Sequence, residues 1–293
     1  MLCCGVIAVE IRQICIIGAG TMGTGIAQAA AQAGIRARLL DTSQEAMYRS
    51  QKLLSRSLRR AVETGKMTPD DATRVRQLIS WDPTWQVLSD ADWVIEAVSE
   101  DLSVKREVLS QIADSIRPET PVSTNTLVLP IDELARAYGR PERFLGVHFF
   151  NPAPAMKLVL IDPGSETAEE VVEAARALCA RLGKETMTSM EVPRHVVNRV
   201  FGAMLTTAID LLEEGAQPEA IDGAVEMGMG HSMGPLRTAD LMGLDMVLNV
   251  FHSLFESTGQ ERYRPPERIM EMIREGKLGR KSGEGFYTYS GEE

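Results

Sequence analysis

A glycine-rich turn directly after an apolar run is the feature that most constrains the fold. Ile11 to Ile17 (IRQICII) predicts a buried strand, the sequence GAGTMG follows, and an alanine-rich helix begins after it. This order of strand, G-x-G-x-x-G turn and helix is typical of a dinucleotide-binding βαβ unit. The first glycine permits the tight turn, the second lets the backbone approach a pyrophosphate, and the third lets the helix pack on the strand. The predicted binding residues are Gly18, Gly20, Thr21, Met22 and Gly23.

An aspartate ends the second predicted strand. The strand spans residues 36–40 (RARLL), and Asp41 follows it, 18 residues after Gly23. A carboxylate at this position accepts hydrogen bonds from ribose hydroxyls and repels a 2′-phosphate, so we predict NAD as the cofactor. NADP stays open as the alternative, because Arg36 and Arg38 are near enough in sequence to accommodate the extra phosphate.

The chain alternates strand and helix patterns first and then carries helix patterns alone. A pair of helices, from Ser43 to about Thr64 and from Thr68 onward, interrupts the alternation as an inserted hairpin. We predict an α/β fold, a Rossmann-type doubly wound sheet with this hairpin, in residues 1–190, and an all-α domain in 191–293. Further strands are predicted at 93–98, 121–124 and 144–150, and further helices at 102–116, 196–212, 218–226, 241–256 and 266–275.

Composition limits the class of protein. A net charge of −10 argues against non-specific nucleic-acid binding, and no apolar run is long enough to span a bilayer. The apolar N-terminus lacks the basic residues of a signal peptide, so we expect a cytoplasmic protein. The four cysteines have no metal-ligand spacing, and we expect reduced thiols and no metal site.

A basic stripe runs along the helix that begins at Ser43. Most of its cations recur at helical spacing, so they share one face. The stripe is either a solvated surface or a binding surface for a phosphorylated or acidic partner, and the sequence leaves both open. Its members are Arg49, Lys52, Arg56, Arg59 and Arg60.

One of the four histidines lies near the end of a predicted strand. His148 begins the sequence HFFNPAPAMKLVLI, in which the following residues are almost all apolar. A histidine there is a candidate proton acceptor, although an isolated histidine at a strand end is also often structural.

The chain resembles the 3-hydroxyacyl-CoA dehydrogenase family, including the bacterial 3-hydroxybutyryl-CoA dehydrogenases, over essentially its whole length. The resemblance implies NAD bound to the first domain, substrate held between the domains, and a helical second domain that forms a homodimer. The matching motifs are GAGTMGTGIA at 18–27, VIEAVSED at 94–101, NT at 125–126, HFFNPAPAMKLV at 148–159, PRHVVNR at 193–199, MGP at 233–235, GLD at 243–245 and GRKSGEGFYTY at 279–289.

The resemblance also implies roles for particular residues. His148 corresponds to the histidine that takes the proton of the substrate hydroxyl, and Asn198 to an asparagine on the substrate side of the reaction. Glu96, Lys105 and Asn125 match family positions near the cofactor. Ser57 matches a residue that contacts the CoA phosphates, while a lysine of the family falls at Thr64, with Lys66 two positions later.

Two polar residues of the family pattern are absent. The family has a serine where this chain has Leu127, and a glutamate that orients the histidine where this chain has Leu160. The family's Pro-Gly-Phe has become Pro-Arg-His at 193–195, which adds His195 to the substrate pocket. Asp162, on the same strand face as Leu160, and His195 are the candidates to replace the missing groups.

These observations favour an oxidoreductase that acts on a hydroxyacyl thioester, carried by CoA or by an acyl carrier protein, with a divergent acyl group. Two alternatives stay open. One is a homologue that binds NAD but has lost efficient chemistry, and the other is a dehydrogenase of a free hydroxy acid.

Overall fold

The computed structural model describes residues 11–126, 129–188 and 196–289, which fall into two compact units. The first unit holds every strand of the main sheet, and the described part of the second is helical. The elements of the first unit are β1 (Gln13–Ile17), α1 (Thr21–Gln32), β2 (Arg36–Leu40), α2 (Gln44–Glu63), α3 (Pro69–Gln77), β3 (Ile79–Asp82), β4 (Trp93–Glu96), α4 (Leu102–Ser115), β5 (Val122–Thr124), α5 (Ile131–Tyr138), β6 (Phe144–Phe149), β7 (Leu158–Pro163), α6 (Glu169–Arg181) and β8 (Glu185–Thr188).

The sheet has eight strands in the order β3-β2-β1-β4-β5-β6-β7-β8. Neighbours from β3 to β6 are parallel, β6 and β7 are antiparallel, and β7 and β8 are parallel. The order reverses between β1 and β4, and ligands bind at such a switch point in doubly wound sheets, beyond the carboxyl ends of the strands. The predicted Rossmann-type fold with an inserted helical hairpin, α2 and α3, is confirmed.

Both faces of the sheet are buried, which explains the continuous apolar runs of its central strands. Along β1, Ile14 and Ile16 point into the core beneath α1 and α6, whereas Cys15 and Ile17 point into the core beneath α4 and α5. Since side chains alternate along a strand, a run without polar residues is stable only between two helical layers.

Three strands differ from the sequence prediction, which did not include β3, β7 and β8. β3 and β8 are four-residue strands at the two edges of the sheet. β3 has only two apolar residues, and β8 has one, the exposed Met187, so neither carries a clear strand signal. β7 follows a Pro-rich turn and lies antiparallel to β6, outside the βαβ pattern that guides the prediction.

In the described part of the second unit, helices are accompanied only by isolated bridges in the C-terminal tail. The predicted helix at 241–256 is α10 for most of its length, but its start is wrong, because Gly243 adopts a φ of +94° and separates α9 from α10. Its helices are α7 (Val196–Glu213), α8 (Pro218–Met229), α9 (Pro235–Met242), α10 (Leu244–Thr258) and α11 (Glu267–Arg274).

The C-terminal tail is bound to this unit through two buried carboxylates, Asp240 and Asp222, of which Asp222 accepts the Tyr287 hydroxyl at 2.9 Å. Asp240 accepts hydrogen bonds from the backbone N–H groups of Phe286 and Tyr287 and from the Tyr289 hydroxyl, each 3.0 Å long. Burial raises the pKa of Asp240 above its usual range.

Among the described residues, no helix is long and apolar enough to cross a membrane.

Candidate active site

A cavity of about 640 Å³ opens beyond the carboxyl ends of β1, β2 and β4, at the switch point of the sheet. It brings together the glycine turn, the aspartate after β2, and part of the basic stripe. The lining residues are Gly18, Ala19, Gly20, Thr21, Asp41, Ala46, Arg49, Ser50, Lys52, Leu53, Arg56, Ala97, Val98 and Ser99.

The glycines of the turn have the shapes that a dinucleotide site requires. Gly18 has a φ of +105°, and a Cβ on Gly23 would overlap the Gly18 carbonyl oxygen. A Cβ on Gly20, in contrast, would meet no atom within 4 Å, so space is open at the start of α1. Neither a capping side chain nor an acidic residue occupies the first turn of this helix. Its free N–H groups and positive dipole end fit a pyrophosphate.

Asp41 is held at the rim of the cavity by backbone groups. One carboxylate oxygen accepts the Ala19 N–H and the other accepts the Ser43 N–H, both at 2.9 Å. Each oxygen keeps a further lone pair, so the carboxylate can still accept ribose hydroxyls.

The two arginines that kept NADP open lie elsewhere. Arg36 is the first residue of β2, at the strand end opposite to Asp41. The Arg38 guanidinium lies 3.4 Å from an Asp90 carboxylate oxygen, and neither arginine lines the cavity. Their placement favours NAD.

The basic stripe forms one wall of the cavity. Arg49, Lys52 and Arg56 line it and are exposed to solvent, whereas Arg59 and Arg60 lie further along α2. The two other predicted phosphate contacts, Ser57 and Lys66, are not part of the lining. Although this protein carries a net negative charge, the wall therefore forms a local positive surface beside the dinucleotide turn.

Two predicted cofactor residues form a buried ion pair instead of facing the cavity. The Lys105 ammonium lies 2.7 and 2.9 Å from the two carboxylate oxygens of Glu96, and both side chains are fully buried. Glu96 also accepts the Val98 N–H and the Thr124 hydroxyl, at 2.7 and 2.5 Å. Because Val98 lines the cavity, the pair shapes the loop after β4, and a direct cofactor contact stays a prediction.

His148 lies near the carboxyl end of β6, with a half-buried side chain. The next residue is fixed from the neighbouring strand, since the Phe149 N–H donates to the Asn125 side-chain oxygen at 2.8 Å. The Phe150 ring packs edge-on against the imidazole, with centroids 4.7 Å apart. Asn125 thus holds the backbone that carries the histidine.

Leu160 lies directly opposite His148 on β7. Directly opposed residues of antiparallel strands place their Cβ atoms about 4.5–5.5 Å apart on one face. A leucine carries no group that can hydrogen-bond an imidazole. The register therefore puts an apolar side chain at the position where the resemblance predicts a carboxylate that orients the histidine.

Asp162 lies on the same sheet face, two register positions further along. It is opposite Gly146, and its Cβ would lie 3.2 Å from a Cβ built on that glycine. This places the Asp162 carboxylate diagonal to His148, about 7–8 Å away between backbones. Its role as a substitute for the missing glutamate stays a prediction.

The remaining predicted residues lie in other places. Leu127 and His195 are outside the described residues. Asn198 belongs to the first turn of α7, in the second unit, and is 6% exposed. Its contact with substrate stays a prediction.

Sequence reasoning missed a buried polar residue on α2. Ser50 is 1% exposed and lines the cavity, in a helix whose other buried residues are Leu54 and Leu58. The signal was present, because a serine four residues before an apolar pair at i+4 spacing lies on the buried face.

Comparison with known proteins gives the same family over both units. The family model for the 3-hydroxyacyl-CoA dehydrogenase NAD binding domain matches residues 13–192, and that for the C-terminal domain matches residues 195–289. A probable 3-hydroxybutyryl-CoA dehydrogenase from Deinococcus radiodurans is 41% identical over 275 residues, covering 94% of this chain and 99% of the relative.

Solved structures agree. The crystal structure of FadB2 from M. tuberculosis has a TM-score of 0.90 and 36% identity, with 96% of this chain and 99% of that chain covered. The (S)-3-hydroxybutyryl-CoA dehydrogenase from Ralstonia eutropha has a TM-score of 0.85 and 38% identity, with 96% and 100% covered.

Proposed function

Because the chain belongs to the 3-hydroxyacyl-CoA dehydrogenase family, we propose a division of labour among its residues for the reaction of that family. The protein is an NAD-dependent oxidoreductase that interconverts a hydroxyacyl thioester and its oxo form. The comparisons do not favour the alternatives of a binding protein without chemistry or a dehydrogenase of a free hydroxy acid.

The glycine turn and Asp41 hold the dinucleotide in this proposal. The N–H groups at the start of α1 bind the pyrophosphate in the space beside Gly20, and the Asp41 carboxylate accepts the ribose hydroxyls. When bound, the nicotinamide ring would supply the oxidising chemistry, as the acceptor of the hydride of the carbinol carbon.

In this proposal His148 removes the hydroxyl hydrogen of the substrate as a proton. Its imidazole accepts the proton of the substrate hydroxyl while the carbon–oxygen bond becomes a carbonyl, and returns it in the reverse direction. Asn125 supports this step by holding the Phe149 backbone, and Asn198 is proposed to contact the substrate. The place of His148 near the carboxyl end of β6, in a doubly wound sheet that binds NAD, supports the assignment.

We further propose that the acyl group differs from a short 3-hydroxy fatty acyl chain. The observation that carries this proposal is the register of Leu160 opposite His148. The family pattern uses a carboxylate at that position, and its loss changes both the polarity beside the imidazole and the surface that meets the acyl group. NADH oxidation against a panel of oxoacyl-CoA, oxoacyl carrier protein and free oxo acids tests it. A preference for acetoacetyl-CoA would contradict a divergent acyl group, and turnover of free acids alone would contradict a thioester substrate.

The basic wall is proposed to bind the phosphorylated or acidic carrier of the thioester. We expect Lys52→Gln with Arg56→Gln to raise the KM for thioester about 2- to 30-fold, because each exposed ion pair contributes about 0.2–1 kcal/mol. The salt dependence of KM should weaken as well. The matched control, Arg74→Gln with Arg136→Gln, removes the same charge from exposed positions outside the cavity.

Unchanged KM and salt dependence in the wall variant would make the stripe a solvated surface. We expect the triple variant Arg56→Gln, Arg59→Gln and Arg60→Gln to show an effect dominated by Arg56, since this arginine alone of the three lines the cavity. Comparing CoA with carrier-protein substrates shows which carrier the wall serves.

A homodimer is proposed through the helical unit. α7 and α8 leave large apolar side chains exposed, with Val200 at 64% and Met227 at 86%. Large apolar side chains with this exposure occur at interfaces in many proteins. We expect Val200→Asp with Met227→Asp to shift sedimentation velocity profiles from dimer to monomer, while Tyr48→Asp, an exposed aromatic of the first unit, leaves them unchanged. A monomeric native protein at micromolar concentration would contradict the proposal.

Cytoplasmic placement is also proposed, since Cys15 and Cys179 are buried free thiols.

A further inference from the structure

A buried chain of side-chain hydrogen bonds links the inserted hairpin to the glycine turn. The Trp81 indole nitrogen lies 2.8 Å from the Ser50 hydroxyl, which lies 2.7 Å from the Thr24 hydroxyl. The Thr24 hydroxyl in turn donates to the Gly20 carbonyl oxygen at 2.7 Å. Ser50 and Thr24 are 1% and 2% exposed. The chain thus connects the edge strand β3, through α2, to the start of α1.

The direction of this chain is fixed by chemistry. An indole N–H only donates, so Ser50 accepts from Trp81 and has its own proton left for Thr24. Thr24 accepts that proton and gives its own to the Gly20 carbonyl, which can only accept. Every hydroxyl therefore donates once and accepts once, and all dipoles point the same way. Hydrogen bonds aligned in this way strengthen one another in a buried setting.

The end of the chain acts on the first peptide group of the anion site. In a trans peptide the carbonyl and the following N–H point in opposite directions. Holding the Gly20 carbonyl toward Thr24 therefore turns the Thr21 N–H outward, to the open space beside Gly20. A carbonyl that accepts two hydrogen bonds, from the Thr24 N–H and hydroxyl, also polarises that N–H.

The middle of the chain fixes α2. Ser50 lies directly after Arg49 and two residues before Lys52, both of which line the cavity. A hydrogen bond at Ser50 therefore sets the height of the basic wall relative to the glycine turn.

We propose that Ser50, Thr24 and Trp81 are positioning residues for dinucleotide binding, which orient and polarise the Thr21 N–H toward the pyrophosphate and fix α2 against the turn. None of the three needs to touch the reacting atoms. The proposal concerns cofactor binding alone, so its test does not depend on the identity of the thioester.

Thr24→Val and Thr24→Ser form the decisive pair, because both keep a β-substituent but only serine keeps the hydroxyl. Titrating NADH fluorescence, we expect Thr24→Val and Ser50→Ala to raise the Kd about 3- to 10-fold and Thr24→Ser to leave it within about twofold of native. Trp81→Phe, which removes the first donor, should raise it less. Ser55→Ala is the control, since Ser55 is exposed on the same helix and donates to the Gln51 carbonyl.

Adenosine separates positioning from general destabilisation. It lacks the pyrophosphate, so its Kd should stay within about twofold of native in all these variants. An equal Kd for NADH in Thr24→Val, Thr24→Ser and native protein would overturn the proposal. A rise in the Kd for adenosine that matches the rise in the Kd for NADH would overturn it as well. Should Ser50→Ala fail to fold, the Thr24 pair and Trp81→Phe still decide the question.

Discussion

Replacing His148 with asparagine is expected to lower kcat for the best thioester substrate about 10²- to 10⁴-fold, the usual contribution of a general base. The physical reason is that asparagine preserves a polar side chain of similar size but cannot accept a proton from a hydroxyl near neutral pH. The Kd for NADH should change little, since His148 does not line the dinucleotide cavity. Steady-state kinetics and fluorescence titration of the same preparation give both values.

The control for this variant is His252→Asn. His252 is exposed on α10, in the second unit, and its replacement should leave kcat unchanged. A His148→Asn protein that binds NADH and keeps more than about a tenth of native kcat would remove His148 from the proton transfer, because it would fall short of general-base catalysis.

Restoring the two absent polar groups is the second large expected effect. Leu160→Glu with Leu127→Ser should raise the turnover of acetoacetyl-CoA at least about tenfold. A hydroxyl that bonds the reacting oxygen contributes about 1–3 kcal/mol, or about 10- to 100-fold in rate. By analogy with the aspartate of serine proteases, a carboxylate that orients an imidazole and stabilises its cation contributes up to about 10⁴-fold.

The register of the sheet makes Leu160→Glu a specific test of the missing carboxylate. Residue 160 lies opposite His148 across an antiparallel pair, so a carboxylate there starts from a Cβ within reach of the imidazole. Leu160→Gln in the same Leu127→Ser background is the matched control, since it restores shape and polarity without the charge. A gain in the glutamine variant equal to that in the glutamate variant would assign the effect to polarity alone.

The parts of the fold that the sequence predicts are those with a strong local signal. Strand β1 is identified by the apolar run at 14–17, and α2 and α3 by their period and by the caps Ser43 and Thr68. The edge strands β3 and β8 have no such signal, because an edge strand is short and half of its backbone groups need no partner in the sheet. The break between α9 and α10 depends on one glycine conformation that a sliding pattern of apolar residues does not detect.

The candidate site divides in the same way. The glycine turn and Asp41 are predicted because spacing along the chain fixes their place in a βαβ unit. The buried pairing of Glu96 with Lys105 and the chain through Ser50 depend on tertiary contacts between different elements, for which a single sequence carries no spacing rule. The pairing of His148 with Leu160 is an intermediate case. The sequence shows that a Pro-containing turn separates the two residues, but only the structure gives the antiparallel register that places them opposite each other.

NADH oxidation with acetoacetyl-CoA, followed side by side for the native protein and for the Leu127→Ser, Leu160→Glu variant, decides whether Leu160 has removed a group that the ordinary family reaction needs. We predict slow turnover by the native protein and a gain of at least about tenfold in the variant. Fast native turnover, or a folded variant that binds NADH normally and shows no gain, would contradict this interpretation of the site.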